Sequence, residues 1–474
     1  MMEKELSFQG VADTVISALS EVVFGQISVF DTRIEWAVVW MAIPMVFFTI
    51  YLKFVNVRKM RLAFQILKGR YSDPDAPGQV SQFQALTTAL SGTIGLGNIA
   101  GVAIAIAIGG PGATFWMIII AFFAMTLKFA ESMLAVKYRT ILPDGTVFGG
   151  PMYYLQKGLE ESNWPRLGKI LAFSYGVFAI PNLLQYTQVN QAYSQVSAVT
   201  GLEFPWLFGV GLAAAVALVI IGGINGLAKL TSSLVPAMCA IYLLATLTIL
   251  FTHADAIPGA FASIYRGAFA PEGVVGGVVG VFVIGMRRAI YSTEAGTGVS
   301  TMVHAAAKTR EPVSQGLAAS VEPFIDTIIV NTMTALVIIV TGAHKIEGLN
   351  DIQMTSAAFG SVISWFPYIL SICVLLFAFT TIIAWSYYMS RVWSFLFGYS
   401  RLSLQIYRTL FCLALIPGSV LTVRQVIDLI DCFLVLITIP NIIGLYILAP
   451  TIKRDLAAYL NRAETRRDSL AGRR

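Results

Sequence analysis

The sequence predicts an all-α polytopic membrane protein with about eleven transmembrane helices: one extra N-terminal span, then two five-helix halves of opposite orientation. Composition is the first reason. Of 474 residues, 57% are hydrophobic and 12% charged, with a mean hydropathy of +0.74, whereas soluble domains carry about 25% charged residues. Uncharged runs are the second. No Asp, Glu, Lys or Arg occurs from Ala76 to Leu127, Ile170 to Leu202, Phe204 to Ala228 or Ile352 to Ser390, and about 20 apolar residues cross a bilayer as a helix. The third is a pair of glycine-interrupted spans, each placed as the first helix of its half, as discontinuous helices in inverted repeats require. That pairing rests on glycine placement and span parity, since the sequence itself carries no detectable repeat.

Residues 1–34 precede the spans. Within them, 11–30 mix apolar residues with Asp13 and Glu21 and lack a basic start, which favours an interfacial amphipathic helix over a signal peptide. The extra transmembrane segment occupies 35–57, with its span at about 35–55. The first repeat covers 81–252, with spans at roughly 82–109, 112–137, 168–199, 205–222 and 229–252. The second covers 273–450, with spans at roughly 275–304, 317–341, 365–397, 405–421 and 426–450. Residues 451–474 form a basic tail. Lys53, Arg58, Lys59, Arg61, Lys68 and Arg70 after the first span, and Lys453, Arg454, Arg462, Arg466, Arg467, Arg473 and Arg474 in the tail, fall on one side when eleven spans are counted. The positive-inside rule makes that side cytoplasmic. The net charge of +6 therefore reflects topology, and a nucleic-acid partner is not indicated. Cys239, Cys373, Cys412 and Cys432 all lie within spans at unrelated spacings, so neither a disulfide framework nor a zinc site is suggested.

The stretch "SGTIGLGNIAG" at 91–101 puts four glycines inside a predicted span. A dinucleotide loop would need a strand before it and an acidic residue about 20 positions on; what precedes is "FQALTTAL" and the next acid is Glu131. A small-residue packing face accounts for some glycines, but not for their alternate spacing or for Asn98 near mid-membrane. A broken helix accounts for both, because unwound backbone inside a bilayer is tolerated where it is buried or lines a cavity, and glycine makes it cheap. Asn98 would then open the second half-helix as an N-cap or ligand. The matching break is expected in "VVGVFVIGMRRAIYSTEAGTG", which holds Gly280, Gly285, Gly296 and Gly298.

Charges within spans pair or line a water path. Arg287, Arg288, Glu294, Glu322 and Asp326 are expected to form a cytoplasmic gating network, and Lys128, Glu131 and Lys137 a second cluster, with Lys128 and Glu131 at i,i+3 on one face. His253, His304 and His344 lie near loops or span ends without ligand spacing. No HExxH and no interpretable nucleophile–base pair suggests an enzyme, and no organic cofactor is indicated. A channel would repeat its filter around a symmetric oligomer, which two non-identical halves do not do.

"SGTIGLGNIAG", "GGPGATFWM" at 109–117, "GGPMYYL" at 149–155, "GMRRAIYSTEAGTG" at 285–298 and "FAFTTIIAWSYY" at 377–388 together resemble the alanine or glycine:cation symporter family, over about residues 35 to 450. The resemblance implies the inverted-repeat fold of the bacterial leucine transporter, with sodium driving uptake of a small neutral amino acid, alanine or glycine foremost and glutamine as the alternative. It implies a multi-pass protein of a bacterial or archaeal inner membrane with a cytoplasmic C-terminus. Backbone amides near Gly97 and Asn98 suit a substrate carboxylate at a helix N-terminus, and carbonyls near Ile284 and Gly285 would accept from its ammonium. Thr93, Asn182, Gln185 and Phe282 are candidate walls and Trp385 a candidate gate. By resemblance to the fold, sodium takes carbonyls near Ser91 and Ile94 together with the hydroxyls of Thr380 and Thr381.

Overall fold

The computed structural model describes residues 18–29, 32–201, 203–270, 277–349, 351–420 and 424–471. Among them, six helical segments are long and apolar enough to cross a membrane: Ala113–Lys137, Pro165–Thr200, Gly223–Thr252, Pro312–Val340, Phe366–Phe397 and Ile430–Arg462. The pair Gln82–Thr93 and Gly97–Gly109, bent by 41° at its break, is a seventh candidate. The other predicted spans hold shorter helices: Trp36–Tyr51, Pro205–Ile220, Gly277–Thr293 and Arg401–Leu415. At 15 to 17 residues these rise only about 22–26 Å, short of a hydrocarbon core of about 30 Å. Six or seven segments thus meet the length criterion, where the sequence predicts eleven spans.

Local chemistry sets the helix starts. The Ser81 hydroxyl accepts from the Gln84 N–H at 3.1 Å while the Gln84 side chain accepts from the Ser81 N–H at 2.9 Å, a reciprocal cap that opens the first broken helix. Pro151, Pro165, Pro205 and Pro312 each occupy the first turn of a helix, where a missing N–H costs nothing.

Three features depart from the sequence reading. Residues 26–29 of the expected interfacial helix are a strand: β1, Gln26–Val29, pairs antiparallel with β2, Thr32–Glu35, and among the described residues of that segment helix covers 18–23. Residues 1–17 of that expectation lie outside the described residues. A second hairpin joins β3, Thr140–Ile141, to β4, Val147–Phe148. The span expected at 168–199 kinks through a 3₁₀ turn, Ile180–Leu183, because Pro181 cannot supply the helical N–H.

The loops predicted to share a side meet at one end of the molecule. Arg139 donates to the carbonyls of Ala305, Ala307 and Thr309 at 2.7 Å and to that of Pro77 at 2.8 Å. Arg310 bonds Asp73 at 3.0 Å and holds its carboxyl below the usual carboxylate range. The tail, expected as a separate segment from 451, continues the helix Thr438–Ala471 and docks here through Lys137–Asp455 at 2.5 Å and Arg462–Glu311 at 2.9 Å.

Candidate functional site

The first break follows from one exchange of hydrogen bonds. In an uninterrupted helix the Gly95 N–H would bond the Ser91 carbonyl. Instead the Asn98 Oδ1 accepts it at 2.8 Å, Gly95 adopts φ −166° and ψ −141° as the N-cap, and a new helix runs from Leu96 to Gly109. The released Ser91 carbonyl accepts the Thr381 hydroxyl at 2.9 Å from the facing helix Phe366–Phe397. Glycine keeps the crossing close: a Cβ on Gly95 would lie 3.0 Å from the Thr381 Oγ1, and one on Gly92 3.0 Å from the Tyr388 hydroxyl, so each hydroxyl would have to shift. At Gly97 a Cβ would meet Ser292 Cα at an ordinary 3.9 Å.

Asn98 is the third residue of the new helix, not its cap, and its amide is engaged by protein. Nδ2 donates to Asp326 Oδ1 at 2.6 Å and Asn331 Oδ1 at 2.8 Å. The Asp326 Oδ2 accepts from the Ser292 and Thr327 hydroxyls, each at 2.7 Å, and Asn331 donates to Ser292 at 3.1 Å. Asp326, Thr327 and Asn331 sit on a π-helical stretch, Phe324–Asn331. The widened turn is what gathers them, and such stretches concentrate at functional sites.

The second break lies further along than expected. Gly277–Thr293 is one continuous helix, so no carbonyls are released at Ile284 and Gly285. Unwinding begins after Thr293, with positive φ at Glu294 (49°), Gly296 (90°) and Gly298 (73°), before the short helix Thr301–His304. Side chains from other helices satisfy two of its carbonyls: Asn441 donates to Gly296 O and Tyr175 to Thr297 O, both at 2.8 Å. The helices Leu96–Gly109 and Gly277–Thr293 run antiparallel, since Gly97 faces Ser292 and Gly109 faces Ile284. Phe282 and Gly285 therefore lie level with Gly109, about 18 Å along the helix from Gly97. Phe282 packs edge-on to Trp116 at 5.0 Å, and a Cβ on Gly285 would lie 2.5 Å from the Ala113 carbonyl. Both pack against the helix Ala113–Lys137, at the far end of Leu96–Gly109 from the first break.

The expected gating set divides in three. Arg287 ion-pairs with Glu35 at the start of the first helix, the end opposite the Lys- and Arg-rich loop, and stacks on Phe24. Arg288 lies by Tyr291 and Asp431. Asp326 belongs to the Asn98 network. Glu322 pairs with Lys128 at 3.0 Å, and Lys128 also donates to Ser300 at 2.8 Å. His304 is buried at 3.4 Å from Glu322, with Gln315 behind it at 2.7 Å. Glu131 accepts from Asn441 at 2.6 Å instead of pairing with Lys128. Glu294 is buried, with Trp385 in reach of its carboxylate.

Of the remaining residues, Thr380 donates back to Phe377 O at 3.0 Å. Thr93 and Ile94 are buried at the break. Asn182 and Gln185 sit at the Pro181 kink, where Gln185 donates to Asn182 O at 2.6 Å, and the kink packs on the facing helix. Sequence reading missed Ser292, Asn331, His304 and Asn441. A lone amide or imidazole in an apolar run is the available signal.

Unwound glycine backbone bridged by a facing hydroxyl, inside an apolar helical bundle, is the build of a broken-helix membrane transporter. The chain matches the sodium:alanine symporter family over residues 17–471 and belongs to it. It is 37% identical over 421 residues to the sodium/alanine symporter AgcS of Methanococcus maripaludis, covering 87% of this chain and 92% of the relative. It is 33% identical over 426 residues to the probable sodium/glutamine symporter GlnT of Bacillus subtilis, covering 89% and 87%. The crystal structure of MhsT in complex with L-phenylalanine matches with a TM-score of 0.56 at 14% identity, covering 78% of this chain and 89% of that one, which gives the chain a leucine-transporter-like fold.

Proposed function

We propose that the chain carries a small neutral amino acid, alanine or glycine, into the cell with sodium by alternating access across eleven spans, with 81–252 and 273–450 as inverted repeats and the C-terminus in the cytoplasm. The observation that carries this reading is the meeting of the Ser91 carbonyl and the Thr381 hydroxyl at 2.9 Å across the first break. Sodium is hard and takes oxygen ligands. A carbonyl freed from its helix and a hydroxyl aimed at it supply two, and the Ile94 carbonyl a third, in a medium with little water to complete the shell. Thr380 contributes less, because its hydroxyl is spent on its own helix.

The substrate carboxylate is assigned to the backbone amides at the start of Leu96–Gly109, near Gly97, where the helix dipole favours an anion. Asn98 positions this backbone through Gly95 and does not itself hold the substrate. Thr93 and Trp385 flank the site, with Asn182 and Gln185 at the neighbouring kink. The identity to AgcS supports alanine, and that to GlnT keeps glutamine as the alternative. Competition by unlabelled amino acids against labelled alanine uptake decides between them: displacement by alanine and glycine is expected, and stronger displacement by glutamine would reassign the substrate.

A further inference from the structure

About 15 Å along the facing helix from Thr381, Arg391 is 8% exposed. Its guanidinium packs over the rings of Tyr387 and Phe148, at 4.7 and 4.8 Å from their centroids. Those contacts fix the group without using its donors, and among the described residues Nε has no hydrogen-bond partner. The buried Tyr387 hydroxyl has none either. Both residues line a cavity of about 230 Å³, together with Arg408, Gln79 and Asn225, and no carboxylate lines it. Among the described residues, no ion pair involves Arg391 or Arg408. Asp144, whose carboxyl feels the Arg391 charge, is tied to the Thr146 N–H at 2.9 Å on the exposed β3–β4 turn.

Two arginines without an ion pair among the described residues, and an orphan hydroxyl, around one cavity call for an anion. The zwitterion this protein is proposed to transport fits poorly, since its ammonium would face two guanidinium groups with no acid to receive it. An oxyanion with several acceptor oxygens fits the planar fork of arginine, which takes phosphate in a bidentate grip.

We propose that this cavity is a phosphate-binding site anchored by Arg391, filled by the headgroup of an anionic phospholipid or by inorganic phosphate. Assigning it to the cytoplasmic leaflet, where anionic lipids supply such headgroups, rests on the orientation proposed above; the binding itself does not. The test uses full-length protein in phosphatidylcholine nanodiscs doped with phosphatidylglycerol, with native mass spectrometry of retained lipid. Inorganic phosphate is titrated as competitor against chloride at equal ionic strength. Wild type should retain phosphatidylglycerol, and Arg391→Gln should weaken retention by about tenfold, the worth of one charge-assisted contact. Arg391→Lys should fall between them. Lipid retention that phosphate displaces assigns the headgroup as occupant. Phosphate binding that depends on Arg391, without lipid retention, assigns the soluble ion. Equal behaviour of wild type and Arg391→Gln toward both probes would overturn the proposal, as would displacement of the lipid by alanine. Sodium-dependent alanine binding by Arg391→Gln reports its fold; if that variant fails to fold, Tyr387→Phe, which keeps the ring and deletes the hydroxyl, should still weaken retention, and unchanged retention would count against the site. Loss of alanine binding by wild type would sink the transport reading while leaving the lipid result standing.

Discussion

The Gly95 N–H has two acceptors within its geometric reach, the Ser91 carbonyl behind it and the Asn98 amide ahead, and its choice of Asn98 at 2.8 Å decides where the helix unwinds. Asn98→Ala returns that choice to the helix and leaves the Asp326 Oδ1 buried without the 2.6 Å donor. A loss of about 1–3 kcal/mol is expected from the unpaired group, read as a lowered Tm together with loss of alanine binding. A variant with unchanged Tm and binding would show that Asn98 does not organise the break. Gly95 and Gly101 should also separate. Gly95→Ala crowds the Thr381 hydroxyl at 3.0 Å and is expected to raise the sodium needed for half-maximal binding, whereas Gly101→Ala, with no atom within 4 Å of the added Cβ, stays near wild type. Asn98 and Thr381 were legible because an amide and a hydroxyl pair stand out in apolar runs. Ser292 and Asn331 were not, since their partners lie 34 and 233 positions away, and a lone polar residue in an apolar run does not name its partner. Gly285 was misread because glycine serves close packing as readily as unwinding, and the sequence does not tell which.

Helices break here where a side chain outbids the backbone, and the second break is held from outside by buried groups on other elements. Lys128 on Ala113–Lys137 grips Ser300 and Glu322 at once, linking the unwound segment to the helices on either side. Removing one partner strands the other charge in the interior, at a cost of about 3–5 kcal/mol, while removing both is far milder. Lys128→Met and Glu322→Gln should each lower Tm sharply, and the double variant should recover most of the loss. Additive losses in that thermal-denaturation cycle would mean that the pair does not act as a unit. The sequence placed Lys128, Glu322 and His304 in or near spans but paired Lys128 with Glu131, because i,i+3 spacing is visible in one dimension and a contact across 194 residues is not. The π-helical turn that brings Asp326 and Asn331 together is likewise a product of packing, with no propensity to announce it.

Across the molecule, composition fixed the membrane-protein class and the order of the apolar segments, and the loops expected on one side do meet, through Arg139, Arg310 and the tail. The short hairpins β1–β2 and β3–β4 escaped notice, as four- and two-residue strands leave too little alternation to read. The bundle sets the first break against the facing helix Phe366–Phe397 through the Ser91–Thr381 contact, where the sodium site is proposed. Sodium-gradient-driven uptake of alanine by purified protein in liposomes, compared between wild type, Thr381→Val and Thr380→Val across a sodium titration, tests it most directly. Saturable accumulation that collapses without the gradient is expected, with the half-maximal sodium concentration raised by about tenfold in Thr381→Val, the worth of one lost oxygen ligand, and by less in Thr380→Val. Uptake that proceeds without sodium, or a sodium dependence identical in all three proteins, would contradict it.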